Sequence, residues 1–128
     1  MGEEEKIIYK EESYQIIGCC FEVYNTLGHG LREKNYQKAL EVILKENGMK
    51  FESQLYVPIK IKEKTIGRYF LDFLINDVIA LELKVGNHFL TKDIKQLYSY
   101  LKAKKLKLGI IVNFTSDGIK YKRILNLV

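Results

Sequence analysis

The spacing of apolar residues in the first third of the chain predicts two helices. Between Glu11 and about Asn25 they recur at helical intervals, at Tyr14, Ile17, Phe21 and Tyr24. The glycines of Leu27-Gly28-His29-Gly30 interrupt this pattern. A second helix is predicted from about Arg32 to Glu46, and Asn47-Gly48 ends it as a C-cap does. Its inward positions are predicted to be Tyr36, Leu40, Ile43 and Leu44.

Beyond residue 50 the pattern changes to that of extended chain. Three strands are predicted, over residues 51–61, 66–75 and 78–85, with a turn at Asn76-Asp77 between the last two. A third helix over residues 93–105 leads to a fourth strand at 108–114, which is apolar enough to be covered on both faces. The tail from Ser116 to Val128 is predicted to be helical or irregular. The order ααβββαβ(α) indicates an α+β fold with one strand–helix–strand crossover, expected to be right-handed.

Length and composition favour a single domain. The chain has 128 residues, of which 47% are hydrophobic and 29% charged, unlike a disordered or a membrane protein. We expect one domain over residues 1–128, with 1–10 loosely ordered. The acidic start, Met1-Gly2-Glu3-Glu4-Glu5, differs from a signal peptide. The adjacent Cys19 and Cys20 are expected to be reduced and partly buried, which favours a cytoplasmic location.

The net charge of +5 is unevenly distributed. Residues 1–64 carry −1 and residues 65–128 carry +6. A basic half suggests a polyanion partner such as nucleic acid, although a lysine-rich solubilising surface is the alternative. The candidate nucleic-acid contacts are Lys102, Lys104, Lys105, Lys107 and Arg68. The lysine run equally suits the C-terminus of the third helix, where positive charge is favourable.

The third predicted strand carries two charges in an apolar context. Side chains alternate along a strand, so Leu81, Leu83 and Val85 face one way. Glu82 and Lys84 share the other face, where burial costs several kcal/mol unless the charges are paired or ligate something. A Glu–Lys pair at a strand end or on a solvated face is the alternative.

Asp72 is flanked by four large hydrophobic residues on the preceding predicted strand. It is either an edge-strand charge or turn cap, or a partner of Glu82. A two-residue hairpin at Asn76-Asp77 would place Asp72 and Glu82 on opposite faces of the sheet. Their convergence needs a three-residue connection or a bulge, and we predict such an irregularity near residues 75–79.

Together these residues resemble a known family. Asp72 followed by Glu82-Leu83-Lys84 is similar to the signature of the PD-(D/E)XK nuclease superfamily. Gln96-Leu97-Tyr98-Ser99-Tyr100 resembles the QxxxY motif of its RecB-like members, and residues 30–36, GLREKNY, resemble the motif of the small GxxExxY proteins. Asn113-Phe114 and Lys122-Arg123-Ile124 also look like that branch. Leu71 replaces the proline of the superfamily name.

The resemblance implies a restriction-endonuclease-like mixed sheet flanked by helices, and a metal site. Mg²⁺ or Mn²⁺ would be held by Asp72, Glu82 and the Leu83 carbonyl, with Glu33 as a further carboxylate, direct or through water. Lys84 would orient the attacking water or stabilise the transition state. Gln96 would hold a phosphate, the water or Lys84. Tyr100 would donate to a phosphate or pack, and the alternative for both is a polar helix face with a tyrosine lid.

The implied function is metal-dependent hydrolysis of phosphodiester bonds, with DNA favoured over RNA. A chain of this length leaves almost no room for a target-recognition domain, so sequence specificity would need a homodimer or a protein partner. The main alternative is a non-catalytic nucleic-acid-binding module. A third hypothesis is an assembly subunit of a repair or defence complex that retains the fold.

Overall fold

Three helices and five strands make up the computed structural model, which describes residues 7–127. The helices are α1 (Lys10–Leu27), α2 (Glu33–Glu46) and α3 (Thr91–Lys104). The strands are β1 (Phe51–Ile61), β2 (Lys64–Ile75), β3 (Ile79–Val85), β4 (Leu108–Thr115) and β5 (Gly118–Leu125). Most predicted elements are present, with ends that differ by a few residues.

One mixed sheet, in the order β1-β2-β3-β4-β5, separates two hydrophobic clusters. Only the β3–β4 pair is parallel. Residues of α1 and α2 pack in the cluster on one face of the sheet, and residues of α3 pack in the cluster on the other. The parallel pair is connected through α3, so the C-terminus of α3 lies near the start of β4. This arrangement confirms the predicted α+β class.

The final element corrects the predicted helical or irregular tail. Residues after Ser116-Asp117 form β5, which pairs antiparallel with β4 from Thr115–Gly118 to Leu108–Leu125. A hairpin is possible because Gly118 has a φ of +135°, a conformation that other residues rarely adopt. β5 is an edge strand with several charged residues, and apolar and basic residues alternate only over residues 119–122, about the shortest run that indicates a strand.

Only part of the apolar pattern of α1 faces the core. Tyr14 is 83% exposed and Phe21 is 44% exposed, whereas Ile17 is buried and Tyr24 packs against the cluster. The buried residues of α1 are Ser13, Ile16, Ile17, Cys19, Cys20 and Val23. The position of the sheet decides which side of the helix is covered. The two free cysteines are buried as expected, and burial raises the pKa of each thiol.

The packing of α2 agrees with the prediction. Tyr36, Leu40 and Leu44 are fully buried, and the partly buried Ile43 packs against the same cluster. The Tyr36 ring stacks on Phe114 of β4 with centroids 4.1 Å apart. The start of α2 is therefore fixed against the centre of the sheet.

The connection between β2 and β3 has the predicted irregularity. Ile75 pairs with Ile79 across three residues, and both Asn76 and Asp77 have positive φ. The same register pairs Phe73 with Leu81, which brings Asp72 and Glu82 to the same level of the sheet. The register prediction is confirmed, and the two carboxylates are not back to back.

Part of the N-terminal segment expected to be loosely ordered, residues 1–6, lies outside the described residues. Within the described part, Ile8 and Tyr9 pack against the α1/α2-side cluster, and Arg123 of β5 donates a hydrogen bond to the Ile8 carbonyl. None of the helices within residues 7–127 is long and apolar enough to cross a membrane.

Candidate metal and nuclease site

Two buried carboxylates on neighbouring strands form the centre of the candidate site. Asp72 of β2 is 5% exposed and Glu82 of β3 is 7% exposed. The Asp72 N–H donates to Glu82 Oε2 at 3.3 Å, and the Leu83 N–H donates to Asp72 Oδ2 at 2.7 Å. These contacts exclude the alternatives of an edge-strand charge for Asp72 and a solvated face for Glu82.

A local distortion of β1 and two amide side chains accommodate Asp72. Gln54 lies opposite it, between the pairs Ser53–Phe73 and Leu55–Leu71, with a φ of +52°. The Asp72 Oδ1 atom accepts hydrogen bonds from Gln37 of α2 at 2.6 Å and from Gln54 at 3.3 Å. Gln54 also donates to the side-chain Oε1 atom of Gln37 at 3.1 Å. Both carboxylate oxygens of Asp72 therefore have a donor, as a buried carboxylate requires.

The electrostatics of the two carboxylates favour the binding of a proton or of a cation between them. Burial raises the pKa of Asp72, and the nearby charge of Glu33 adds to the effect, while hydrogen bonds from Leu83 and Gln54 oppose it. Burial also raises the pKa of Glu82, followed by the charge of Asp72, and the Lys84 charge opposes this. Without a cation the pair binds protons more strongly than exposed carboxylates do.

The donor set fits Mg²⁺ or Mn²⁺. Carboxylate and carbonyl oxygens suit these ions, and Mg²⁺ commonly uses only one or two protein carboxylates together with water. The N–H and C=O of one strand residue point to the same neighbouring strand. Because the Leu83 N–H donates to Asp72 of β2, the Leu83 carbonyl also points towards β2. It lies past Phe73–Leu81, where the pairing of β2 with β3 ends, so no β2 residue pairs with Leu83. Within residues 7–127 no three His, Cys, Asp or Glu side chains converge as a metal-binding group. Asp72 and Glu82 would therefore be the side-chain ligands, completed by the Leu83 carbonyl and water.

Lys84 lies on the same face of β3 as Glu82 and is partly buried. Its Nζ atom is 3.8 Å from Asp93 Oδ1, in the first turn of α3. The Lys84 side chain is 28% exposed and the Asp93 side chain is 15% exposed, so both can be reached from solvent. Asp93 thereby directs the lysine towards the N-terminus of α3.

The two predicted residues of α3 have different environments. Gln96 is half-buried, whereas Tyr100 is only 4% exposed. The Tyr100 ring packs edge-on against Tyr69 of β2, with centroids 6.5 Å apart. Burial raises the pKa of both phenols, and the charge of Glu82 further raises that of Tyr69. Tyr100 is therefore packed against β2, and its role at the site stays a prediction.

The segment from Gly30 to Tyr36 positions the start of α2. Gly30 has a φ of +100°, and the Tyr36 hydroxyl donates to the Gly28 carbonyl at 2.7 Å. Glu33 is the first residue of α2, one turn before Gln37 and on the same side of the helix. Since Gln37 contacts Asp72, Glu33 lies near the carboxylates without a direct hydrogen bond to them.

The five predicted nucleic-acid contacts lie at different ends of the sheet. Lys102, Lys104, Lys105 and Lys107 lie at or just after the C-terminus of α3, near the start of β4. Lys84 pairs with Asn113, which lies five residues after Leu108. About 17 Å of extended strand therefore separates the level of Lys84 from the start of β4, where these lysines lie. Arg68 is exposed and lies four residues before Asp72 on β2, which is about 13 Å along the strand. It is on the side of Asp72 that faces the C-terminal end of β3.

Four residues were not predicted to lie at the site, although Asn113 belongs to the Asn113-Phe114 pair that resembles the GxxExxY branch. Gln37, Gln54 and Asp93 contact Asp72 or Lys84, and Asn113 is level with Lys84 on β4. Asn113 is 1% exposed, donates to the His88 carbonyl at 2.9 Å and has a buried Oδ1 without a partner among the described residues. Helical spacing from Glu33 could have identified Gln37, and a lone amide in an apolar strand could have identified Asn113. Nothing local distinguishes Gln54 or Asp93.

Comparison with known proteins agrees with this geometry. A model of the PD-(D/E)XK nuclease superfamily matches residues 10–124. The chain is also similar to the crystal structure of SSO0001, with a TM-score of 0.57 and 24% sequence identity over 74% of this chain and 51% of that one. It thus spans about half the length of SSO0001, and the likeness concerns the fold. No curated protein matches significantly. Because the family model extends over most of the sequence, we conclude that the chain belongs to the PD-(D/E)XK nuclease superfamily.

Proposed function

We propose that the protein is a metal-dependent nuclease that hydrolyses phosphodiester bonds in DNA. The observation that carries the proposal is the buried pair of Asp72 and Glu82, joined through main-chain hydrogen bonds, with Lys84 on the same face of β3 as Glu82. Burying two like charges side by side is costly, and a divalent cation is the partner that offsets both. This arrangement suits catalysis better than a surface that only binds nucleic acid.

Each side chain has a separate task in the proposed reaction. Asp72, Glu82 and the Leu83 carbonyl would hold Mg²⁺ or Mn²⁺, and Glu33 would act through water. When bound, the metal would lower the pKa of a coordinated water and offset charge on the scissile phosphate. Lys84 would orient the attacking water or stabilise the pentavalent phosphate.

The residues of α3 would complete the site. Gln96 is partly exposed and would hold a phosphate, the water or Lys84. Tyr100 would support the site mainly by packing, since its ring is buried against Tyr69. The resemblance of residues 30–36 and 96–100 to the GxxExxY and QxxxY motifs supports assignment to the GxxExxY branch with RecB-like features. The free, buried cysteines support a cytoplasmic location.

DNA is the proposed substrate and RNA the competing one. Sequence specificity, if present, would be supplied by a second copy or another protein. The experiment is a panel of supercoiled, linear, single-stranded and flap DNAs plus RNA, incubated with Mn²⁺. We expect cleavage of at least one DNA by the wild-type protein. Lys84→Ala and Glu82→Ala should reduce the rate at least about 10²-fold by removing transition-state stabilisation.

The controls separate chemistry from folding and contamination. Circular dichroism should show that Lys84→Ala retains the helical and sheet content of the wild type. Lys64→Ala, at the exposed start of β2, should cleave at the wild-type rate. Equal activity of the wild type and Lys84→Ala would indicate a contaminating nuclease and contradict the proposal. Salt-dependent binding without cleavage by any variant would favour the binding-module alternative.

A further inference from the structure

A row of polar side chains connects Lys84 to the edge of the sheet. Asn113 of β4 pairs with Lys84 of β3 on one side and with Lys120 of β5 on the other. Directly opposed residues on neighbouring strands project from the same face. Lys120 therefore lies on the face that carries Lys84, two strands away.

A second row runs parallel to the first. Ile111 of β4 pairs with both Glu82 and Lys122, so Lys122 is level with the carboxylates. The Lys122 Nζ atom lies 5.5 Å from the centroid of Phe89, whose ring packs against the α3-side cluster. This contact independently places the Lys122 side chain on the same face as α3.

Neither lysine has an anionic partner in the part of the chain that the structure describes. Lys120 and Lys122 are exposed, and no carboxylate of residues 7–127 lies within ion-pair distance of either. Lys84, in contrast, is close to Asp93. Asn113 lies between the two strands that carry Lys84 and Lys120, but it is buried and donates to the His88 carbonyl, so only the lysines present polar groups to a ligand here.

The spacing matches that of a nucleic-acid backbone. Neighbouring strands are about 4.8 Å apart, so β5 is roughly 10 Å from β3. Successive phosphates of one strand rise about 3.4 Å each along a duplex, so roughly 10 Å corresponds to a few nucleotides. The lysines of the α3 C-terminus are too far along the sheet to contact phosphates this close to the site.

We propose that Lys120 and Lys122 form a binding site for the DNA phosphate backbone beside the scissile bond. The strand being cut would pass over the His88-Phe89 segment, which covers this part of β4, and leave the molecule at the β5 edge. This inference rests on the proposed nuclease function and specifies the path of its substrate. Lysines on an edge strand also prevent sheets from pairing edge to edge, which is the competing explanation.

The experiment compares two variants that each lose two positive charges. Lys120→Gln/Lys122→Gln removes the β5 cations, and Lys62→Gln/Lys64→Gln removes two exposed cations at the β1–β2 turn. Binding of the full chain to short fluorescein-labelled duplex DNA, and to RNA of the same sequence, is followed by anisotropy in EDTA. Salt is varied between about 50 and 200 mM. Cleavage of the same duplex is then measured with Mn²⁺.

We expect the β5 variant to bind DNA about 10- to 100-fold more weakly, with the slope of log K against log salt reduced by about 2. Its kcat/KM should fall in proportion, while the variant of the β1–β2 turn keeps a slope near that of the wild type. Unchanged affinity and slope in the β5 variant would overturn the phosphate site, even if cleavage persists. Dimerisation of that variant with an unchanged slope would likewise overturn it in favour of edge protection.

The two proposals fail in different ways. In one outcome the wild type binds DNA but never cleaves it, and the β5 variant shows a smaller slope of log K against log salt. That outcome would contradict the nuclease function and retain the phosphate site. Tighter binding of RNA than of DNA, with the same loss in the β5 variant, would retain the site and overturn DNA as its ligand.

Discussion

The environment of Glu82 explains why a carboxylate can occupy the middle of a buried strand. Glu82 accepts a hydrogen bond from the Asp72 N–H, and the positive charge of the partly buried Lys84 favours its ionised form. Neither contact offsets the full cost of burying two adjacent carboxylates. In the absence of metal, the two carboxylates should therefore lower the free energy of unfolding, as strained functional sites often do. The same arrangement enables the site to bind a cation.

This reasoning predicts the effect of pH on the metal-free protein. The pKa of Glu82 is raised in the folded state, so between its unfolded value near 4.5 and the raised value the folded state binds more protons. The free energy of unfolding in EDTA should therefore fall as pH rises through this range. Glu82→Gln keeps the shape without the charge and should be more stable than the wild type at pH 8 by about 1–3 kcal/mol.

Urea denaturation in EDTA at pH 5 and pH 8 measures this difference. The advantage of Glu82→Gln should be small at pH 5 and larger at pH 8. Glu46→Gln, a matched change at the exposed last residue of α2, should show the same pH dependence as the wild type. A Glu82→Gln protein whose pH dependence matches that of the wild type would contradict the assigned cost.

At the scale of elements, α3 is held close to β4 by a glycine. A Cβ atom built on Gly109 would lie 2.9 Å from Leu97 Cγ and Cδ2 and 3.3 Å from Leu101 Cδ1. Real Cβ atoms do not approach this closely, so the leucines of α3 occupy the space above the glycine. Because Gln96 precedes Leu97, this contact also sets the distance of Gln96 and Tyr100 from the strands.

Gly109→Ala should therefore destabilise the fold and displace α3. Overpacking of this kind costs about 1–3 kcal/mol. Gly18→Ala is the matched control, because a Cβ there meets nothing within 4 Å and alanine is favoured in a helix by about 1 kcal/mol. Thermal unfolding of both variants checks the prediction. Equal stability of Gly109→Ala and wild type would show that α3 can move without cost.

At the scale of the molecule, the candidate site is assembled from five elements. β2 and β3 contribute the carboxylates, β1 and α2 contribute the amides that hold Asp72, and α3 contributes Asp93 beside Lys84. Since the elements come from distant parts of the sequence, the site exists only when the fold is complete. A cation that binds there should stabilise the folded chain as a whole.

Mn²⁺ should consequently raise the melting temperature of the wild type. At a concentration 100 times the dissociation constant, the stabilisation is about 2.7 kcal/mol. Asp72→Asn should lose most of this shift, because a ligand charge and the acceptor of the Leu83 N–H are altered. Asp117→Asn, in the exposed β4–β5 turn, is the control and should keep it. A shift of equal size in Asp72→Asn would contradict a metal site at Asp72.

Much of the fold could be predicted from local patterns. The register of β2 and β3 followed from the need to bring Asp72 and Glu82 together, and the three-residue connection fulfils it. The β5 strand and the inward face of α1 were not predictable in this way. An edge strand needs little apolar alternation, and α1 carries apolar residues on more than one side, of which Tyr14 and Phe21 stay exposed.

The sequence by itself determined which side chains share a face of one strand or helix, because that periodicity is set by the local backbone. It therefore placed Glu82 with Lys84. Only the tertiary structure decided that Gln37 and Gln54 would reach Asp72, and that β5 would bring Lys120 level with Lys84. Those contacts depend on how separate elements pack and pair, which is decided by the whole core rather than by the residues concerned.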